Sequence, residues 1–258
     1  MIRLAAIGDI HTRKGTEAEL RKLFDFVREE ADLLLLAGDL TDSGVADEAR
    51  VLASLLDCEH LPVVAVLGNH DCHHNQQEII QEILEACGVV VLDGDGWVFE
   101  RAGVRLGLAG CIGFGGGFRP YNLEPFGETA WKVLYDKVIE ESRKLDRGLT
   151  AVAGCDYRVA LTHYSPTADT MGDEPPALHP YLGSSELGQA LERHQVLFAV
   201  HGHAHRGRSE GCTDQGIPVY NVALPVVRRP VIWRFDPRRE DTVVEPILVG
   251  SDGPPSDG

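Results

Sequence analysis

The chain has 258 residues, 43% hydrophobic and 25% charged, with a formal net charge of −16. That is the composition of a globular protein, and the charge argues against nucleic acid, which needs Lys and Arg against phosphate, and against an anionic membrane surface. No apolar run approaches the ~20 residues a bilayer-spanning helix needs, and MIRLAAIGDIH lacks the layout of a signal peptide; a soluble cytoplasmic protein is expected.

Three continuous apolar runs, 2–8, 32–38 and 62–68, predict strands. Between them, 16–31 and 45–58 carry apolar residues at helical spacing: Leu20, Leu23, Phe24 and Val27, then Val51, Leu52, Leu55 and Leu56. Thr16 with Glu19 has the form of a capping box. Strands that are apolar throughout and separated by helices predict a parallel sheet covered on both faces. Further on, 104–110, 156–163, 196–203, 216–223, 230–236 and 242–249 are strand-like, and only 128–145 and 184–194 are helical. The close succession of the last strands predicts antiparallel hairpins. Two loops stand out, the Gly-rich 111–122 and the long, Pro-rich 164–183, whose length suits a lid or binding loop. The tail 251–258 has the composition of a disordered end, so one domain over 1–250 is expected. Six cysteines (Cys58, Cys72, Cys87, Cys111, Cys155 and Cys212) form no C-x-x-C pair and read as free buried thiols.

Each strand of the first half ends in a polar cluster: GDIH with Asp9 and His11, GDLTD with Asp39, and GNHD with Asn69, His70 and Asp71. Later come THYS with His163, and VHGHAHRG with His201, His203 and His205. Taken singly, each has an ordinary explanation. An Asp after a strand-end Gly caps the next helix, and a lone His is usually a surface or core residue. Their repetition at five strand ends is what matters, because the carboxyl ends of parallel strands in one sheet lie side by side.

The set D-x-H, GD, GNHD, H and GHxH, in that order from Asp9 to His205, resembles the calcineurin-like metallophosphoesterase family, and within it the bacterial phosphodiesterase branch. The resemblance implies an α/β fold of two packed mixed β-sheets flanked by helices, an α/β/β/α sandwich, with a two-metal site at the strand ends. It implies Asp9, His11 and His205 on the first metal, Asn69, His163 and His203 on the second, and Asp39 bridging both. His70 would stand by the leaving group as proton donor or charge stabiliser, and Asp71 would orient His70 or else close its own loop. His201 falls outside the motif and reads as a packing residue or one that supports the ligands from behind; Arg13, Arg119 and Arg206 are weaker candidates for phosphate contacts and read first as surface arginines. Where the protein-phosphatase branch has GDxxDRG and GNHE, this chain has Ser43 in place of the arginine and Asp71 in place of the glutamate, which speaks against a phosphoprotein substrate.

Mixed nitrogen and oxygen donors suit Mn or Fe, and next Zn or Ni, better than calcium. A shared carboxylate holds two ions ~3.5–4 Å apart, the spacing used in phosphoester displacement. The expected activity is hydrolysis of a small-molecule phosphodiester, or other small phosphoester, by a metal-bridging hydroxide. The alternatives are a phosphomonoesterase acting on a metabolite and a non-catalytic metal-binding scaffold. Loops 111–122 and 164–183 are expected to select the substrate: Phe114 and Phe118 either cover an aromatic or nucleobase group or fill core. The motifs leave the oligomeric state open.

Overall fold

The computed structural model describes residues 2–235 and 246–247. The tail 251–258 and most of the expected strand 242–249 lie outside the described residues. In chain order the elements are β1 (Ile2–Ile7), α1 (Glu17–Glu30), β2 (Leu33–Ala37), α2 (Ala46–Leu55), β3 (Val63–Val66), α3 (Gln77–Ala86), β4 (Val90–Val91), β5 (Asp95–Arg101), β6 (Val104–Cys111), α4 (Thr129–Ala151), β7 (Tyr157–Thr162), α5 (His179–Leu182), α6 (Ser185–Arg193), β8 (Phe198–His201), β9 (Glu210–Cys212), β10 (Pro218–Asn221), α7 (Leu224–Val227), β11 (Val231–Phe235) and β12 (Pro246–Ile247).

These strands form two six-stranded sheets, β12-β11-β1-β2-β3-β4 and β5-β6-β7-β8-β10-β9. The LLLLA of β2 shows why they stack. All five residues are buried, and alternate side chains of a strand point to opposite faces. Leu33 and Leu35 therefore pack between the sheets, with Leu108, Leu161, Phe198 and Trp233, while Leu34 and Leu36 meet Phe24, Leu52 and Leu84 from α1, α2 and α3. On the outer face of the second sheet, Ala109 and Ala160 lie under Leu145, Leu149, Leu187 and Leu191 of α4 and α6. The layers run helix, sheet, sheet, helix, as expected, and each fully buried Leu contributes ~1.5–3 kcal/mol of transfer free energy.

The structure corrects several expectations. The motif-bearing strands do not share one sheet: β1, β2 and β3 belong to the first, β7 and β8 to the second. The last strands are hairpins only in part. β11 and β12 pair antiparallel, as expected, but β10 lies parallel to β8 and antiparallel to β9, and β11 crosses to the first sheet, antiparallel to β1. The capping box does not form. Thr16 sits in helical backbone (φ −89, ψ −4) without a capping bond, its hydroxyl donates to the Arg13 carbonyl at 2.8 Å, and Glu17 rather than Glu19 reaches back, accepting from the Gly15 N–H at 2.6 Å.

Helix α4 continues past 145 to Ala151. Gly148, which looks like a stop, is instead the place where the helix presses on the backbone: a Cβ there would lie 2.6 Å from the Asp95 carbonyl oxygen. Helix α3 and strands β4, β5 and β9 have no counterpart among the expected elements. The cysteines are all free, but only Cys111 and Cys155 are buried; Cys58, Cys72 and Cys87 are half-buried and Cys212 is exposed.

Candidate metal centre

Every motif residue lies just past the carboxyl end of a strand. Asp9 and His11 follow β1, Asp39 follows β2, and Asn69 and His70 follow β3; His163 follows β7, and His203 and His205 follow β8. The loops of both sheets converge there. The Asp9 N–H donates to the Gly38 carbonyl at 3.0 Å, and the Gly202 N–H to the His163 carbonyl at 3.1 Å. The backbone takes an unfavourable conformation to aim these side chains: Asp9, His11, Asp39 and His203 all have positive φ, between 42° and 68°. Non-glycine residues there cost free energy that the surrounding fold must hold, and such strain concentrates at functional sites. The glycine before each of Asn69 and His203 has its own reason. A Cβ on Gly68 would overlap the Asp39 carboxylate, and one on Gly202 the Asp9 carboxylate.

Among the described residues three groups of ligating atoms have their atoms within 4.8 Å of one another: Asp9, His11 and His205; Asp39, His163 and His203; and His11, Asp42 and His70, of which the first two are made wholly of motif residues. His205 Nε2 lies 2.8 Å from Asp9 Oδ1. His163 turns Nδ1 to the Ala37 carbonyl at 3.0 Å, which leaves Nε2 facing the site, 2.8 Å from Asn69 Oδ1 and 3.3 Å from Asp39 Oδ1. His203 Nε2 accompanies the Tyr181 carbonyl at 3.1 Å. Asp39 faces both groups with different oxygens: Oδ1 toward His163, and Oδ2 3.9 Å from His11 Nε2. Two carboxylates, four imidazoles and one amide oxygen are the donor set of a transition-metal pair and not of calcium, so the residues present fit the two ions that the motifs imply.

The electrostatics follow this pairing. Burial pushes the Asp9 carboxyl up, but the His205 hydrogen bond and the charges of His163 and His205 outweigh it, and the net shift is down. Burial pulls His163 down, and Asp39 and Asp9 more than reverse it. Burial carries His203 down to about 4, with His163 adding to the effect. His201 is fully buried and stays outside the site, as expected. Its Nε2 meets the Thr170 hydroxyl at 2.9 Å, and burial holds it down to about 4.

Asp71 does not orient His70. Its buried carboxylate accepts from the Gly68 N–H at 2.8 Å, the Leu40 N–H at 3.2 Å, the Thr41 N–H at 2.8 Å and the Thr41 hydroxyl at 2.5 Å. The Gly68 bond closes its own loop, the second of the two roles considered for it, and the bonds from Leu40 and Thr41 also tie that loop to the one carrying Asp39. His70 is oriented by a residue the motifs did not single out: its Nδ1 lies 2.6 Å from the Asp42 carbonyl oxygen. That leaves Nε2 free toward the site, 4.0 Å from Asp39 Oδ2. The Asp42 carboxylate also stands 3.7 Å from His11 Nδ1. The second Asp of GDLTD was the available signal. Tyr164 was missed too; its ring packs 4.4 Å from that of His203 and 5.6 Å from that of His163. Of the three arginines, Arg13 pairs with Asp42 and Arg119 with Glu186, and the backbone N–H of Arg206 donates to Glu174.

The family model of the calcineurin-like phosphoesterases matches residues 2–207, and the chain belongs to that family. Its members are hydrolases that use a binuclear metal centre on phosphoesters. Among solved structures, the phosphopantetheinyl hydrolase of Mycobacterium tuberculosis superposes with a TM-score of 0.62 at 16% identity, covering 98% of each chain. TT1561 of Thermus thermophilus superposes at 0.56 with 16% identity over 95% of this chain and 98% of that one. GAP50, the anchor in the inner membrane complex of Plasmodium, reaches 0.54 at 12% identity over 95% and 88%. At these identities the likeness is one of fold. No curated protein matches the chain. No helix among the described residues is long and apolar enough to cross a membrane.

Proposed function

We propose that the protein is a metal-dependent phosphodiesterase acting on a small molecule, with Asp9, His11 and His205 holding one ion, Asn69, His163 and His203 the other, and Asp39 between them. The observation that carries the reading is the pair of Asp39 oxygens, one turned to each group. When bound, the two ions, Mn or Fe in the first place, supply positive charge for the phosphate oxygens and lower the pKa of a water nucleophile.

The chain's own residues do the rest. The N–H groups of His70 and His203 donate to Asp39 Oδ1 at 2.8 Å and to Asp9 Oδ2 at 3.0 Å, fixing both carboxylates. Asp71 holds the loops in register. His70, locked through Nδ1–H to the Asp42 carbonyl, offers Nε2 as the acid in its imidazolium form: as the oxygen of the deprotonated water bonds to phosphorus and the ester P–O bond breaks, the Nε2 proton passes to the departing alkoxide and leaves the neutral ring. Such a transfer is worth ~10²–10⁴-fold in rate.

A diester is favoured over a monoester because the site is open on two sides. His70 stands at one end beside His11, their ring centroids 4.5 Å apart. At the other end Asn69 and His203 border a large cavity whose lining does not include His70. A leaving arm at His70 and a retained arm at the cavity account for both ends. GAP50 is an anchor built on the same fold; the full ligand set of the present chain favours catalysis over a scaffold role. The test is a screen of Mn-loaded protein against bis(p-nitrophenyl) phosphate, p-nitrophenyl phosphate and cyclic nucleotides. Faster hydrolysis of the diester supports the proposal; faster hydrolysis of the monoester makes the protein a phosphatase, and no hydrolysis of any of them leaves the scaffold reading.

A further inference from the structure

The loops expected to choose the substrate meet each other. The Gly116 N–H donates to the Pro180 carbonyl at 2.7 Å, and the Gly117 N–H to the Gly183 carbonyl at 2.9 Å. The glycines permit this approach, since a Cβ on Gly115 would stand 2.5 Å from the Pro180 oxygen. With the first turns of α4, the two loops enclose a cavity of about 750 Å³ whose inner end is Asn69 and His203. That volume is within the ~300–1,000 Å³ typical of sites for organic ligands. Its walls include Phe114, Tyr121, Trp131, Leu134, Tyr164 and Tyr181, and no Lys, Arg, Asp or Glu among the described residues lines it.

Two features mark the cavity as built for an apolar occupant. Five of the eight large hydrophobic side chains exposed among the described residues (Tyr121, Trp131, Leu134, Leu178 and Tyr181) are on its wall. Apolar side chains gathered in this way, instead of scattered singly, mark a binding surface. The cavity is also continuous with the metal centre through the two residues that end it. The charge of the protein is strongly negative overall, and with no cation among the described residues of the wall a second phosphate or carboxylate on the substrate would find no partner there.

We infer that this cavity takes the retained arm of the phosphodiester, and that the arm is an uncharged, extended alkyl or aryl group and not a charged one. The inference rests on the diesterase reading above and names its substrate class. The phosphate lies at the metal centre, the leaving group at His70, and the apolar arm runs outward between Phe114, Trp131 and Tyr181.

The test is a series of p-nitrophenyl phosphodiesters with one constant leaving group and a second arm of methyl, butyl, octyl, phenyl or carboxymethyl. Each buried methylene is worth about a fourfold gain in binding (~0.8 kcal/mol), so kcat/KM should rise at least about tenfold from methyl to octyl, and carboxymethyl should be the poorest. Trp131→Glu, which puts a charge in the wall, should flatten the series. Phe126→Ala, an exposed aromatic outside the lining, should keep it. Calorimetric binding of octyl methyl phosphate, read without turnover, should weaken at least about tenfold in Trp131→Glu. Hydrolysis that is indifferent to the second arm, or binding unchanged by Trp131→Glu, overturns the inference. Absence of turnover with arm-dependent binding intact would instead refute the diesterase reading and leave the cavity's role standing.

Discussion

Phe114 and Phe118 belong to one glycine-rich loop, and the structure divides the roles open to them. Phe118 is 8% exposed and packs with Met171, Leu182 and Ala204, while Phe114 lies on the wall of the cavity, its ring 6.0 Å from that of Tyr164. Replacing a buried Phe by Ala costs ~3–5 kcal/mol. The cluster around Phe118 is small and near the surface, so the lower end, about 3 kcal/mol, applies. For a chain of this size each kcal/mol lowers Tm by ~2–4 °C, so Phe118→Ala should melt roughly 6–12 °C lower. Leu182 in the same cluster ends α5, whose Tyr181 carbonyl faces His203; the variant should therefore also respond less to the second ester arm. Phe114→Ala, at a half-buried wall position, should change Tm by less than half as much and still alter the choice among arms. Scanning calorimetry of both variants, with the same diester series, decides between these roles. If Phe118→Ala melts within a degree of the parent, the ring is not core and the division drawn between the two residues is wrong.

Three further outcomes are expected. His70→Ala should lower kcat by ~10²–10⁴-fold for an alkoxide leaving group and much less for nitrophenolate, with metal content unchanged; equal losses for both would remove the proton-donor role. Asp71→Asn should destabilise the protein by about 2 kcal/mol or more, because Asn keeps one acceptor oxygen and leaves the Gly68 and Leu40 N–H groups without theirs, at ~1–3 kcal/mol each; chemical denaturation measures it, and a variant as stable as the parent would contradict the loop-tying role. Gly68→Ala should lower metal affinity, since the added methyl displaces the Asp39 carboxylate; unchanged titration of Mn into the variant would show that the carboxylate has room to move.

The parts of the molecule that could be read from sequence are those in which one residue type answers to one constraint. The apolar run LLLLA could only be a strand buried on both faces, and β1 and β3 follow the same logic. The motif residues were recognisable for a similar reason, because each stands only a few positions past such a strand. What could not be read depends on partners distant in the chain. Nothing local to THYS or GHAH says that β7 and β8 belong to a second sheet, and the meeting of the two at the site depends on the register between them. Strand β5 is mostly exposed or half-buried, so it carries no apolar run, and α3 buries only Ile80 and Leu84. Asp71 sits beside His70 in sequence, yet its side chain turns to Leu40, Thr41 and Gly68. The cavity is assembled from 114–134 and 164–182 around Asn69 and His203, and of these stretches only the start of the helix expected over 128–145 was legible as an element.

In the proposed chemistry Asp39 stands at the centre and serves two metal ions at once. Elemental analysis of metal-loaded protein, set beside that of Asp39→Asn and Asp9→Asn, tests this most directly. The expected result is two ions per chain in the parent, loss of one ion in Asp9→Asn, and weakened retention of both in Asp39→Asn. A parent that saturates at one ion, or an Asp39→Asn variant that keeps two, would contradict it.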